Sequence, residues 1–167
     1  MKKSILLAAA LFSTMAVMPA FASNVLTEKN LSLEFADKLA QSAIQACSAK
    51  NYNVAVTIVD RAGVVKVVKR MDNAGPHTVE ASRMKAYTAL TTKNTTGDVM
   101  KSAQDNAGAQ NMRDIPGFLL LGGGVPVKVD NQTIGAIGIG GAPGGHLDQQ
   151  CAVDALEANK SLLITSA

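Results

Sequence analysis

Apolar positions follow two rhythms along this chain, and the places where the rhythm changes mark its elements. Leu31, Phe35, Leu39 and Ala43 recur every four residues, with Ala46 and Cys47 continuing the stripe. This predicts an amphipathic helix from a Thr27 N-cap to about residue 49. Residues 53–60 and 64–70 are β-branched runs separated by Arg61-Ala62-Gly63, a spacing that demands a tight hairpin. Pro76 then opens a helix over residues 77–91, with Val79, Met84, Ala86, Tyr87 and Leu90 available for packing, and a shorter helical piece covers 97–104. Pro116 closes the irregular stretch that follows. Residues 118–121 begin a second group of strands, and 125–129 and 133–139 flank the turn chemistry of Asp130-Asn131-Gln132. A last helix spans 148–162, with Asp148 as candidate N-cap. Hairpins outnumber crossovers in this α, ββ, αα, βββ, α order. The expectation is an α+β fold, a five-stranded antiparallel sheet with helices packed on its faces.

Residues 1–22 stand apart from that domain. Lys2 and Lys3 precede an apolar run from Ile5 to Met18, and Ala20-Phe21-Ala22 supplies an A-x-A cleavage signal, which together read as a secretory signal peptide. The run is interrupted by Ser13 and Thr14 and is shorter than the roughly 18 to 20 residues of a spanning helix. The expectation is therefore export to the periplasm or beyond, with residues 23–167 as one domain and no membrane contact after cleavage. Losing Lys2 and Lys3 lowers the formal charge from +3 to +1. Nucleic acid is an unsuited partner at that charge.

Residues 122–152, GGGVPVKVDNQTIGAIGIGGAPGGHLDQQCA, interleave strand pattern with glycine. Gly140, Gly141, Gly144 and Gly145 leave backbone N–H groups open to a ligand just before the last helix, which is the composition of an anion-binding nest. A purely structural use of the same glycines, as a bulge, a turn or a positive-φ connection, stands beside it. No Gly-x-Gly-x-x-Gly and no Gly-Lys-Ser/Thr occurs, so the two familiar nucleotide loops are excluded.

GGGVPV, IGAIGIGG and DQQCA, in that order, resemble the signature of GlcG/HbpS-like proteins. VTIVDRAGVVKVVKRMDNA from Val56 is similar to that family's first hairpin, and MKAYTAL from Met84 resembles its central helix. The resemblance implies a profilin-like domain, often oligomeric, whose relatives bind haem, and it implies no single enzyme activity. It also implies that the first and last helices can share one sheet face. With an oxidising compartment and an even cysteine count, this makes Cys47–Cys151 the expected disulfide, two separate buried thiols being the alternative.

His77 and His146 are the two histidines, each at a helix start beside a turn where an imidazole can meet a metal or haem iron. Either is also an ordinary surface residue on sequence grounds; the resemblance raises both as iron ligands, His146 ahead of His77 for its place beside the glycine run. Met71, Met84, Tyr52 and Tyr87 are further axial candidates, Met84 and Tyr87 fitting a core better. Arg70, Arg83 and Lys85 are cations for haem propionates or a small carboxylate, or else form a solvated helix face. Asp60 and Asp72 read as turn or cap residues, and no Cys-x-x-Cys-His occurs, so haem would be non-covalent. Two functions emerge. One is a haem- or tetrapyrrole-binding protein whose site joins the 71–77 and 140–146 loops to the helix bearing Arg83 and Lys85. The other is an enzyme or binding module for a small anionic molecule, held in the glycine nest without iron.

Overall fold

The structure, a computed structural model, describes residues 24–163; the expected signal peptide and its cleavage point lie outside them. Helix α1 (Leu33–Ser48) begins at Ser32, whose hydroxyl accepts the Phe35 N–H at 3.1 Å, and not at Thr27. Leu31 fits the helical spacing but lies before the helix, where it is buried in the core against Gly135. Strands β1 (Ala55–Asp60) and β2 (Val65–Arg70) form the first hairpin. Asp60 acts as the expected turn residue, its carboxylate accepting the N–H groups of Ala62 and Val64.

Helix α2 (Thr78–Thr92) and helix α3 (Thr96–Asp105) follow, then a 3₁₀ stretch, Ala107–Asp114. Strands β3 (Gly124–Val129) and β4 (Gln132–Gly140) close around Asp130 and Asn131, both at positive φ, the two-residue turn that matches strand twist. Helix α4 (Gly145–Ala158) ends the main fold.

The sheet has four strands in the order β2-β1-β4-β3, all neighbours antiparallel, and not the expected five. Residues 118–121 are the difference. Their backbone groups are satisfied elsewhere: the Phe118 N–H by Ile115 O, the Leu119 N–H by the Thr88 hydroxyl, and Leu121 O by the Thr96 hydroxyl. A segment whose polar groups are claimed by helix side chains has no cause to join a ladder.

Helices α1 and α4 cover one sheet face, where Leu39, Ala43 and Cys47 meet Val56, Ile58, Ile137, Ile139, Cys151 and Ala155. The Cys47–Cys151 disulfide crosses this core with a Cα–Cα distance of 5.4 Å and joins residues separated by 104 positions in sequence. Helix α2 covers the other face by a different rule. Its buried residues are Thr78, Ser82, Lys85, Ala86, Thr88 and Ala89, while the larger Val79, Met84, Tyr87 and Leu90 are only half-buried. Glycine explains the inversion. A Cβ on Gly138 would lie 2.0 Å from Ser82 O, and one on Gly124 would lie 2.3 Å from Lys85 O, so the α2 backbone rests almost directly on the sheet. Small side chains fill what little space remains, and Thr57 bonds Ser82 hydroxyl to hydroxyl at 2.7 Å across the contact.

Candidate functional site: a cleft between two helix starts

The close seat of α2 brings its N-terminal end beside that of α4, and a cleft of about 550 Å³ opens between them. One wall is the loop after β4, from Gly140 to Gly145. Another is the start of α2 with Gly75, His77, Thr78 and Ala81, while Asn51, Tyr52, Asn53 and Asn73 form a polar margin; Lys85 and Asp148 also border it. Of the residues singled out in the sequence, Tyr52, His77, Lys85, Gly140, Gly141, Gly144, Gly145 and Asp148 therefore meet at one place.

The others do not. Met71 borders a neighbouring hollow with Arg70 and Asn73, and its sulfur accepts the Val54 N–H at 3.4 Å. Arg83 pairs with Glu80 one helical turn away, an arrangement that holds the Glu80 carboxyl below its usual range, and it is not part of the cleft wall. His146 is exposed at the second residue of α4 and likewise lies outside the wall. Arg70 is bonded to Ala74 O, and Tyr87 packs edge-on to Phe118 with ring centres 6.2 Å apart.

Both histidines nonetheless share a local geometry. A Cβ on Gly75 would fall 2.8 Å from Cε1 of His77, and one on Gly144 would fall 2.8 Å from Cε1 of His146. Each imidazole folds back over the backbone two residues before it, a position open only above glycine. His77 makes no capping bond to α2. The residue is exposed at the cleft wall.

The floor departs furthest from the sequence reading. Lys85 is not on a solvated helix face; it is 1% exposed and donates to Asp148 Oδ2 at 2.8 Å and to Ile139 O at 2.9 Å. Asp148 is not the N-cap of α4, which is Gly144 without a side-chain bond. It sits in the first turn, where a carboxylate complements the helix dipole, and its Oδ1 accepts the Ala142 N–H at 2.9 Å. The anion that fills the glycine nest is thus the protein's own. Burial pushes the Asp148 carboxyl above its ordinary range, against the opposing pull of Lys85 and of the Ala142 and Gly141 amides. One signal for this pair was present in the sequence. Ser82, Lys85, Ala86 and Ala89 stand at i, i+3, i+4 and i+7, which places Lys85 on a stripe of small buried residues.

Among the described residues no cluster of three or more His, Cys, Asp or Glu could hold a metal ion, so an iron atom held here would have to bring its own ligands, as haem does. No helix among those residues is long and apolar enough to cross a membrane.

A family model for the haem degrading protein HbpS-like family matches residues 31–157, which runs from before α1 through every strand of the sheet to the penultimate residue of α4. The chain belongs to the HbpS-like family. The GlcG protein of Escherichia coli strain K12 is 31% identical over 113 residues, 68% of this chain and 83% of that protein. A double mutant of HbpS from Streptomyces reticuli superposes with a TM-score of 0.77 at 34% identity, covering 87% of this chain and 98% of that one. The complex of PduOC with haem is similar at TM-score 0.70 and 27% identity, covering 77% of this chain and 94% of that one. The HbpS-like fold is thereby established, with the sheet corrected to four strands.

Proposed function

We propose that this protein binds haem, or a related tetrapyrrole, non-covalently in the cleft between the starts of α2 and α4, after export to the periplasm or beyond. The observation that carries the reading is His77, an exposed imidazole with no capping bond at the margin of a cleft of about 550 Å³ walled by Gly, Ala and Pro. Such a wall has few side chains to obstruct a flat macrocycle, and His77 would hold the iron, which supplies the chromophore and any redox chemistry when bound. Membership of the HbpS-like family and the likeness to a haem-bound PduOC support it.

The propionates need a different home from the one expected of the sequence. Lys85 is neutralised by Asp148, the Ala142 amide is taken, and Arg83 is engaged with Glu80 away from the wall. The exposed margin formed by Asn51, Asn53 and Asn73 is left to receive them, near solvent. That occupancy also weakens the rival reading, a small carboxylate in the glycine nest. Self-association belongs to the proposal as well, and sedimentation velocity on the mature chain checks it.

The experiment is hemin titration followed by the Soret band, with His77→Ala, His146→Ala and the double variant. The expected result is a shifted band and weaker binding for His77→Ala, with His146→Ala close to the parent. An unchanged band and affinity in all three would remove histidine ligation and return the cleft to a ligand without iron.

A further inference from the structure

Among the described residues, Lys85 and Asp148 are the Lys, Arg, Asp or Glu side chains that border the cleft, and they are 2% and 3% exposed. Apolar residues of similar volume would commonly hold α2 to α4 at least as firmly as a buried ion pair does, so stability alone gives no reason for this one. Its position gives a better one. An ammonium has three N–H donors, and Lys85 directs one to Ile139 O and one to Asp148 Oδ2, which leaves a third on a side chain that borders the cleft. Gly123 and Gly124 secure the arrangement, because a Cβ on the first would stand 2.9 Å from Lys85 Nζ and one on the second 2.3 Å from Lys85 O.

We propose that Lys85 is an amine nucleophile that forms a reversible imine with a small aldehyde or 2-oxo acid entering the cleft, Asp148 serving as its proton partner. The Lys85 ammonium passes one proton to the Asp148 carboxylate, and the freed lone pair forms a C–N bond to the carbonyl carbon. The carbonyl π pair moves to oxygen, which takes a proton from the new ammonium to give a carbinolamine. Asp148 then returns its proton to that hydroxyl, the C–O bond breaks, and water leaves. The product is an iminium paired with the Asp148 carboxylate, with no oxidant or reductant required. Burial raises the Asp148 carboxyl, which eases the first transfer. This activity goes beyond haem binding and involves no iron.

Trapping tests it directly. The mature, disulfide-intact protein is incubated with glyoxylate and cyanoborohydride at neutral pH, and the carboxymethylated lysine is located by peptide mass mapping. Lys85 should react at least about tenfold faster than any other lysine, the advantage expected of an amine held in place beside a proton acceptor. Asp148→Asn should remove most of that advantage while leaving the surface lysines unchanged. Labelling spread over exposed lysines with Lys85 unmodified in the parent protein overturns the proposal, and this readout needs no variant to fold. Because the assay is run without hemin, its failure leaves the haem reading standing, and a failed hemin titration leaves the imine standing.

Discussion

Replacing Lys85 by Met tests the buried pair as a structural element. Met nearly matches the lysine stem in volume, so packing against Gly123 and Gly124 is retained and the change is mainly one of charge. What remains is a carboxylate 2% exposed in the first turn of α4, held only by backbone amides. Breaking a buried pair by removing one partner costs about 3 to 5 kcal/mol. The amides and the helix start soften the loss, the dipole by about 1 kcal/mol, so we expect a loss of about 2 to 4 kcal/mol at pH 8. The pH dependence carries the sign. Burial already raises the Asp148 carboxyl in the folded protein, so its contribution is greatest below the unfolded value and declines as pH rises through the folded one. Without Lys85 the folded value rises further, and the penalty must shrink between pH 8 and pH 5 as the carboxyl takes up a proton. Urea unfolding of both proteins at the two pH values, with the midpoint and slope fitted separately, measures this. A loss under about 1 kcal/mol at pH 8, or a loss that does not fall at pH 5, would refute the argument. The double variant Lys85→Met with Asp148→Leu should recover most of the stability, since no buried charge is then left alone.

Reduction of Cys47–Cys151 opens a loop closed across a sequence separation of 104 and should cost about 4 to 5 kcal/mol on chain entropy, read as a lower urea midpoint in dithiothreitol. Gly138→Ala should destabilise by about 3 kcal/mol or more because its Cβ meets Ser82 O at 2.0 Å, whereas Gly140→Ala, whose nearest contacts are at 3.4 Å, should fold normally and alter only the cleft. Asn131→Ala, at φ 62°, should cost about 1 kcal/mol by thermal unfolding. Intact-mass analysis of exported protein should give a chain beginning at Ser23, and retention of Met1 on a soluble cytoplasmic product would contradict export.

The strands and helices were legible where one physical rule governed each. The β-branched runs of β1 and β2, the Asp130-Asn131 turn and the α1 stripe all appear within a few residues of their expected places. Two features were hidden because a second rule intervened. Residues 118–121 look like a strand by composition, but their hydrogen bonds go to Thr88 and Thr96, which cannot be read from the segment itself. The packing face of α2 was misread because large apolar side chains usually mark the core. Here the glycines of β3 and β4 draw the helix too close for them, and Ser82, Ala86 and Ala89 take their place. The burial of Lys85 and its pairing with Asp148, 63 residues away, follow from that approach. The glycine run thus has two uses, close packing along the strands and a cleft wall with few side chains beyond them.

The filled nest also decides what kind of ligand the cleft favours. A small free carboxylate could reach the Ala142 amide only by displacing Asp148, and would leave that side chain buried beside one fewer donor, at a cost of several kcal/mol. Its own few hydrogen bonds, at about 1 kcal/mol net each, would not offset this. A tetrapyrrole meets no such competition, because its apolar body gains about 25 cal/mol for each Å² removed from water while its acidic groups stay at the asparagine margin. A small carbonyl compound escapes for another reason: its attachment would be the bond to Lys85 and not the nest. Both proposals therefore rest on one feature of the fold, an internal carboxylate that closes the anion site and leaves an imidazole at the rim and an amine at the floor.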